Sequence, residues 1–420
     1  MPERRLRVLF VVSHPIQYAV PIFRLLAQEA QLDFHVAYCS LRGAEAANDP
    51  EFGQSVQWDV PLLDGYPWTQ VPNQGSGGES FFGWSNRGLW KLIREGHFDA
   101  VLCQLGYLRC SFWISYLSAR VHGTPFLFLT DASTIQPRDG RKWKIWLKKL
   151  AWPVLFRMFS QVLTASSAGS QMMRSLNIPE QRISMTLFTV DNDWWQAEAA
   201  RVNRAAVRAS WGLDGEEKIV LFCAKLQPWK RPLDLLRAFG LAGIPRSTLL
   251  FAGDGALRAM VEAQASALGL GKRVRVLGFV NQSQLPAVYR AADVMVIPSA
   301  YEPFGLVVNE AMLCGCVVIA SDQVGAVRDL IFPGRTGYVY PCGDTGALAG
   351  TLCDAFADPA KLAEIRGAAG NRIREWSPRA SAAAMTAAIV RAAAGSARVS
   401  RPGKGDAVDP AFKADRYLPS

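Results

Sequence analysis

The chain has 420 residues, half of them apolar and a fifth charged, with a formal net charge of +10 at pH 7. A sequence of this length suits two domains of roughly 150–200 residues, and its composition is that of an ordinary globular protein rather than a disordered one. The positive excess calls for an anionic partner, which could be nucleic acid, acidic membrane or a phosphate-bearing substrate; no nucleic-acid motif accompanies it.

In chain order, Met1 to Arg7 passes directly from charges into the strand-like run Val8–Val12, and no uninterrupted apolar stretch of about 18 residues exists. Neither a signal peptide nor a membrane-spanning helix is therefore expected. A helix-like stretch Ala19–Glu29 follows, then apolar runs at Phe34–Tyr38, Ala100–Leu105 and Phe126–Leu129. This alternation predicts βαβ units and a parallel sheet. Between them, Pro72 to Asn86 is rich in glycine and serine and reads as a surface loop.

The segment Arg138–Phe159 mixes lysine and arginine with tryptophan and leucine. Two readings stay open: a helix lying on anionic lipid headgroups, or a core helix with a basic outer face, broken or kinked near Pro153.

The polar, helix-rich stretch Gln196–Trp211 reads as a linker into a second α/β series, with strands expected at Ile219–Ala224, Leu249–Ala252, Val274–Leu277, Val294–Ile297 and Val317–Ala320. From Gly395 onward periodicity is lost, which predicts a disordered tail. The expected organisation is an N-terminal domain over 1–200, a C-terminal domain over 201–394 whose last helix packs back on the first, and a tail over 395–420. Of the eight cysteines, Cys39, Cys103, Cys223, Cys314 and Cys316 lie in or beside apolar runs. They read as reduced, buried thiols, and hence point to the cytoplasm.

Three clusters in the second half carry chemistry. The strand Ile219–Ala224 leads into Lys225-Leu-Gln-Pro-Trp-Lys230, and ligands bind at the C-terminal ends of parallel strands, so both lysines could meet a diphosphate there; a solvated loop is the plainer alternative. Phe251-Ala-Gly-Asp-Gly255 ends a strand in a turn whose glycines permit positive φ or close backbone approach. The sharpest cluster runs from Pro298-Ser-Ala-Tyr-Glu302-Pro-Phe-Gly305 into a helix starting near Leu306 and carrying Glu310. Unpaired N–H groups at a helix start make Gly305, Leu306 and Val307 a seat for phosphate oxygens. Glu302 and Glu310 can then face one cleft at different depths and accept hydrogen bonds from sugar hydroxyls. Glu310 sits among apolar neighbours, so its carboxylate needs a partner.

With these blocks and Gly278-Phe-Val, Tyr289-Arg-Ala-Ala-Asp293 and Ser321-Asp-Gln-Val-Gly325 in order, the second half resembles glycosyltransferase family 4. The resemblance implies an α/β protein with the GT-B fold, two Rossmann-like domains facing across a cleft. It implies that Glu302 holds the donor sugar's hydroxyls, Glu310 the ribose and Lys230 the diphosphate, with Val280 bordering the base and Lys225, Phe304, Gly305, Leu306 and Val307 completing the donor site. Lys225 stands where the family usually has arginine, which replaces a two-pronged contact by a point charge. Ser13-His-Pro-Ile-Gln-Tyr18 replaces the usual Gly-Gly loop and looks like the motif of a subgroup, making His14 and Tyr18 acceptor-side candidates alongside the loop near Gly75. Asp131 stands where many members have histidine; it joins Glu302 and Lys230 as a catalytic candidate with its role open.

The implied reaction moves a sugar from a UDP-, GDP- or ADP-sugar to an acceptor hydroxyl with retention, as a hexosyltransferase-like enzyme would in bacterial glycan, glycolipid or polysaccharide assembly. The nucleotide sugar is a co-substrate; no cofactor is expected, and no Asp-X-Asp motif is positioned to bind a metal. The expected partners are that donor and a glycan or lipid-linked acceptor, with an anionic membrane surface through 138–159 and no nucleic acid. The expected location is the cytoplasm, including the inner face of the membrane. A non-catalytic subunit that binds nucleotide sugar or glycan, and a nucleotide-sugar epimerase of the same fold, are the competing readings.

Overall fold

A computed structural model describes residues 4–49, 54–77, 80–136 and 141–397. The first series of strands is β1 (Leu6–Val12), β2 (Leu32–Tyr38), β3 (Ala47–Asp49), β4 (Gln54–Val56), β5 (Trp68–Gln70), β6 (Ala100–Cys103), β7 (Phe126–Thr130), β8 (Gln161–Thr164) and β9 (Ile183–Met185). The second is β10 (Lys218–Cys223), β11 (Ser247–Ala252), β12 (Val274–Gly278), β13 (Val294–Ile297), β14 (Val317–Ser321) and β15 (Tyr338–Tyr340). They form a seven-stranded sheet in the order β5-β2-β1-β6-β7-β8-β9 and a six-stranded sheet in the order β12-β11-β10-β13-β14-β15, with β3 and β4 as a separate antiparallel pair. Pairings in both large sheets are parallel.

The strands are continuous apolar runs because both faces are covered by helices. Val8, Phe10, Leu102, Leu127 and Leu163 are buried on one side of the first sheet, and the second buries Leu221, Leu250, Met295 and Val318. The α/β architecture with two parallel sheets agrees with the sequence reading. The short strands β5, β8, β9 and β15 were not anticipated.

Helices Asn192–Arg201 and Arg204–Ser210 occupy the stretch between the sheets. Arg208 is buried and bonds Asp293 Oδ2 at 2.8 Å, while the same carboxylate oxygen accepts the Ile219 N–H at 2.9 Å. Arg204 also pairs with Asp293. Asp293, at the end of the Tyr289-Arg-Ala-Ala-Asp293 block, thus ties the connecting helices to the start of β10.

The last helix, Pro378–Ala397, returns to the first half. Its Ala382, Met385, Ala388 and Ile389 share one core with Val8 and Phe10. This helix continues past Gly395, where loss of periodicity suggested a tail; alanine-rich sequence has high helix propensity and sustains the last turn. The remainder of the expected tail lies outside the described residues.

The helix Lys142–Arg157 runs unbroken through Pro153. Residues 138–140 of the basic segment, and residues 78 and 79 of the glycine-rich loop, lie outside the described residues. Cys39, Cys103, Cys223, Cys314 and Cys316 are buried free thiols, as expected. Among the described residues, no helix is long and apolar enough to cross a membrane.

Candidate active site

In an open parallel sheet, the crevice for a ligand opens where strand order reverses, beyond the C-terminal ends of the strands. In the second sheet that point lies between β10 and β13. The loop after β10 carries Lys225 and Lys230, and the loop after β13 carries Glu302. The structure brings Lys230 and Glu302 into a direct ion pair, both side chains largely buried. Ala300 N–H bonds the Trp229 carbonyl at 2.8 Å, which holds the two loops side by side.

Glycines set the spacing of these loops. At Gly253 and Gly255 φ is +151° and +149°, and an added Cβ would lie 1.9 Å from Ala224 O and 2.8 Å from Leu226 O. Their part is close approach of the 253–255 turn to the backbone on either side of Lys225, sealed by Leu226 N–H to Asp254 O at 2.9 Å. Gly325 does the same beneath Glu302, where a Cβ would lie 2.0 Å from Pro303 O. Gly325 N–H bonds Glu302 O at 3.0 Å and Ala326 N–H bonds Phe304 O at 2.8 Å. The sequence reading passed over this buttress; a glycine four residues beyond the end of β14, facing the acidic loop, was its signal.

Gly305 has φ +98° and leads into the helix Val307–Leu313. Phe304 and Gly305 are buried, whereas Leu306 and Val307 remain partly accessible. Among the described residues, no hydrogen bond or ion pair joins Glu310 to Lys230 or Glu302. Glu310 Oε2 accepts the Tyr289 hydroxyl at 2.7 Å, and Cys223 Sγ lies 3.2 Å from the same hydroxyl. Tyr289 is the partner that an acid in this apolar setting requires. Burial pushes the Glu310 carboxyl up to about 7, with the Tyr289 hydrogen bond pulling the other way. Val280 packs partly buried against the core beneath the same edge. Its neighbours face the first half, with Phe279 and Trp58 rings 6.4 Å apart and Asn281 Nδ2 bonded to Gln57 O at 2.9 Å.

The acceptor-side candidates follow β1 and β7 at the C-terminal edge of the first sheet, where strand order reverses between β1 and β6. Tyr18 meets the Phe188 ring at 5.6 Å, Phe188 meets Phe304 at 5.8 Å, and Phe304 stacks on Trp376 at 5.9 Å. This aromatic series joins Tyr18 to the loop that carries Glu302. Burial, and then the charge of Asp131, raise the Tyr18 hydroxyl to about 12, so it stays a neutral donor. Asp131 itself is exposed. His14 Nδ1 lies 2.9 Å from Ser13 Oγ, and burial, aided by Arg42, lowers its pKa to about 4. Gly75 is pressed against the backbone of Phe82 and Gly83, and Gly77 N–H bonds Gly83 O at 2.8 Å, so the glycines near it shape a turn.

Further hydrogen bonds join the halves, Ser167 N–H to Asp329 Oδ2 at 3.1 Å and Asn309 Nδ2 to Phe188 O at 3.2 Å. A cavity of about 450 Å³ lies away from the Lys230–Glu302 pair, lined by Arg24, Asp191, Asn192, Arg374 and Arg379 among others. Its mixed charges match none of the expected donor contacts. Among the described residues, no three His, Cys, Asp or Glu side chains cluster as a metal site.

Residues 203–375 match the sequence model of the family described as glycosyl transferases group 1. An uncharacterized glycosyltransferase of Methanocaldococcus jannaschii is 35% identical over 185 residues, 43% of this chain and 47% of that protein. A D-inositol 3-phosphate glycosyltransferase of Mycolicibacterium vanbaalenii is 38% identical over 175 residues, 38% of each chain. The chain thus spans less than half the length of these curated relatives. Over the whole fold it is similar to Anabaena HepE, crystallised with UDP-glucose, at TM-score 0.66 and 19% identity over 94% of this chain and 99% of that one. Sucrose-phosphate synthase of Thermosynechococcus elongatus gives TM-score 0.65 and 20% identity over 91% and 98%. The fold is GT-B, two Rossmann-like domains facing across a cleft, and its segment 203–375 is similar in sequence to the glycosyl transferases group 1.

Proposed function

We propose that the chain is a retaining, hexosyltransferase-like glycosyltransferase that moves a sugar from a nucleotide-diphosphate sugar to an acceptor hydroxyl in bacterial glycan, glycolipid or polysaccharide assembly. The observation that carries this reading is the Lys230–Glu302 pair at the strand-order reversal of the second sheet, inside the segment that matches the family. That Anabaena HepE was crystallised with UDP-glucose on the same fold supports a nucleotide-sugar donor.

Leaving-group departure puts negative charge on the β-phosphate, so the chief need is positive potential fixed in advance at that point. Lys225, Lys230 and the N–H groups of Gly305, Leu306 and Val307 supply it without a metal. Glu302 holds sugar hydroxyls, Phe304 props its loop, Glu310 receives the ribose and Val280 borders the base. Across the cleft, His14, Tyr18 and Asp131 face the acceptor, which is a glycan or a lipid-linked sugar at the inner face of the membrane. A neutral His14 and an un-ionised Tyr18 suit hydrogen bonding to an uncharged hydroxyl. Closure of the halves excludes water that would hydrolyse the donor.

The test is consumption of isotope-labelled UDP-, GDP- and ADP-sugars, after a thermal-shift panel has selected the one that raises the unfolding temperature. Donor breakdown that requires Lys230 and Glu302 supports the proposal. Binding without breakdown would make the chain a carrier, and interconversion of nucleotide sugars without any acceptor would make it an epimerase.

A further inference from the structure

The helix Lys142–Arg157 carries two apolar stripes on opposite sides. Successive helical residues advance by about 100°, so Trp152 and Phe156 lie on one side and Trp143, Trp146, Leu150 and Val154 on the other. The first pair is buried in the core of the N-terminal half. The second group is exposed, Trp146 by 69% and Leu150 by 61%. Cations stand between the stripes, Lys142, Lys144, Lys148 and Lys149, and Arg157 lies at the C-terminal end of the exposed stripe, with no acidic residue from 141 to 160. A surface helix ordinarily shows its second face polar; this one shows water its tryptophans.

The exposed stripe does not stand alone. Trp152 Nε1, on the buried side of the helix, donates to the Tyr107 hydroxyl at 3.0 Å, which ties the loop after β6 to this helix; the next residue of that loop, Leu108, is 67% exposed. Arg109 in turn donates to Ser80 O at 3.4 Å, beside Phe82, which is 71% exposed. The three segments follow β7, β6 and β5, so they leave the same edge of the sheet as His14, Tyr18 and Asp131.

We propose that the exposed faces of helix 142–157, Leu108 and Phe82 form one docking surface for an anionic lipid bilayer, placing the acceptor side of the cleft at the headgroups. The occupant is chosen by charge: tryptophan and leucine flanked by lysines match an interface whose outer layer is negative and whose interior is apolar. The surface extends the basic helix noticed in the sequence to two loops far from it along the chain, and it rests on the glycosyltransferase reading for its purpose, delivery of a lipid-linked acceptor.

The experiment is co-sedimentation of the full chain with vesicles of phosphatidylcholine alone and of phosphatidylcholine mixed with phosphatidylglycerol. Binding to the mixed vesicles should exceed binding to the neutral ones by at least about tenfold. The double substitution Trp146→Glu with Leu150→Glu should weaken it by at least about tenfold, and Phe82→Glu by about threefold or more. These side chains are exposed, so circular dichroism should show unchanged melting. Absence of binding to either vesicle, equal binding to both, or binding untouched by the double substitution overturns the proposal. So does a doubling of mass in sedimentation that the double substitution abolishes while vesicles capture nothing, since a second copy would then cover the face. Donor breakdown is measured in the same variants: docking without any donor breakdown sinks the transferase reading and leaves the surface standing, whereas donor breakdown without docking does the reverse.

Discussion

The two halves share one topology and spend their loops differently. Both sheets are parallel and both reverse strand order near the centre, and the segments after β8 and β9 meet those after β14 and β13. In the C-terminal half the edge loops are knit backbone to backbone, the 253–255 turn onto 224–226 and the 321–326 turn onto 302–304, with glycines where no Cβ would fit. In the N-terminal half the loops after β5 and β6 carry the exposed Phe82 and Leu108. Donor recognition on this fold asks for fixed charges at fixed heights, which rigid loops deliver.

If that contrast is right, the largest effects come from the fixed charges. Lys230→Ala and Glu302→Ala should each lower donor turnover by about a hundredfold to a thousandfold, with melting by circular dichroism close to wild type. Full turnover in both variants would remove the site assigned here. Next comes the buttress: Gly325→Ala forces a Cβ into the Pro303 carbonyl and should cost about 1–3 kcal/mol in urea denaturation, together with most of the turnover, because the Glu302 loop must shift. A silent Gly325→Ala would show that the loop is looser than its hydrogen bonds imply.

A smaller effect is expected at Tyr289. Its hydroxyl favours the charged form of Glu310, whose carboxyl burial raises from 4.5 to about 7. Donor affinity by calorimetry should rise with pH as Glu310 ionises, level off above about 7, and show its midpoint moved upward in Tyr289→Phe. An unmoved midpoint would separate Glu310 from ribose binding. The same shift has a stability sign. A carboxyl raised in the fold contributes stability below 4.5 that is lost as pH rises through about 7, and Glu310→Gln should flatten that slope.

The N-terminal half titrates the other way. Burial lowers His14 and His35 from 6.5 to about 4, so their contribution is present above 6.5 and lost as pH falls through about 4. Unfolding temperatures between those values should decline toward acid, and His35→Gln should reduce the decline. A curve indifferent to that substitution would place the acid sensitivity elsewhere.

Much of the fold was legible because parallel strands buried on both faces leave continuous apolar runs, and Val294–Ile297 was bounded as it stands. The three-residue strands Trp68–Gln70, Ile183–Met185 and Tyr338–Tyr340 are too short for periodicity to register. The polar ends of Gln161–Thr164 hid another, although Gln161 is buried through a bond from its Nε2 to Gln181 O at 2.9 Å. At the site, the need of Glu310 for a partner was visible in its apolar neighbours, but Tyr289, 21 positions away, could be assigned only once the chain was folded. The pairing of Lys230 with Glu302 was likewise beyond reach, because it depends on two loops crossing the strand-order reversal. In the N-terminal half, nothing in Ser13–Tyr18 announces that Tyr18 joins Phe188 and Phe304 in one aromatic series.

The most direct measurement is a crystal structure of the chain with the nucleotide-diphosphate sugar that the thermal-shift panel selects. The diphosphate should lie within about 3 Å of Lys230 Nζ, with the sugar hydroxyls on Glu302 and the ribose on Glu310. A donor seated instead in the cavity between Arg24 and Arg374, with Lys230 and Glu302 untouched, would contradict the account.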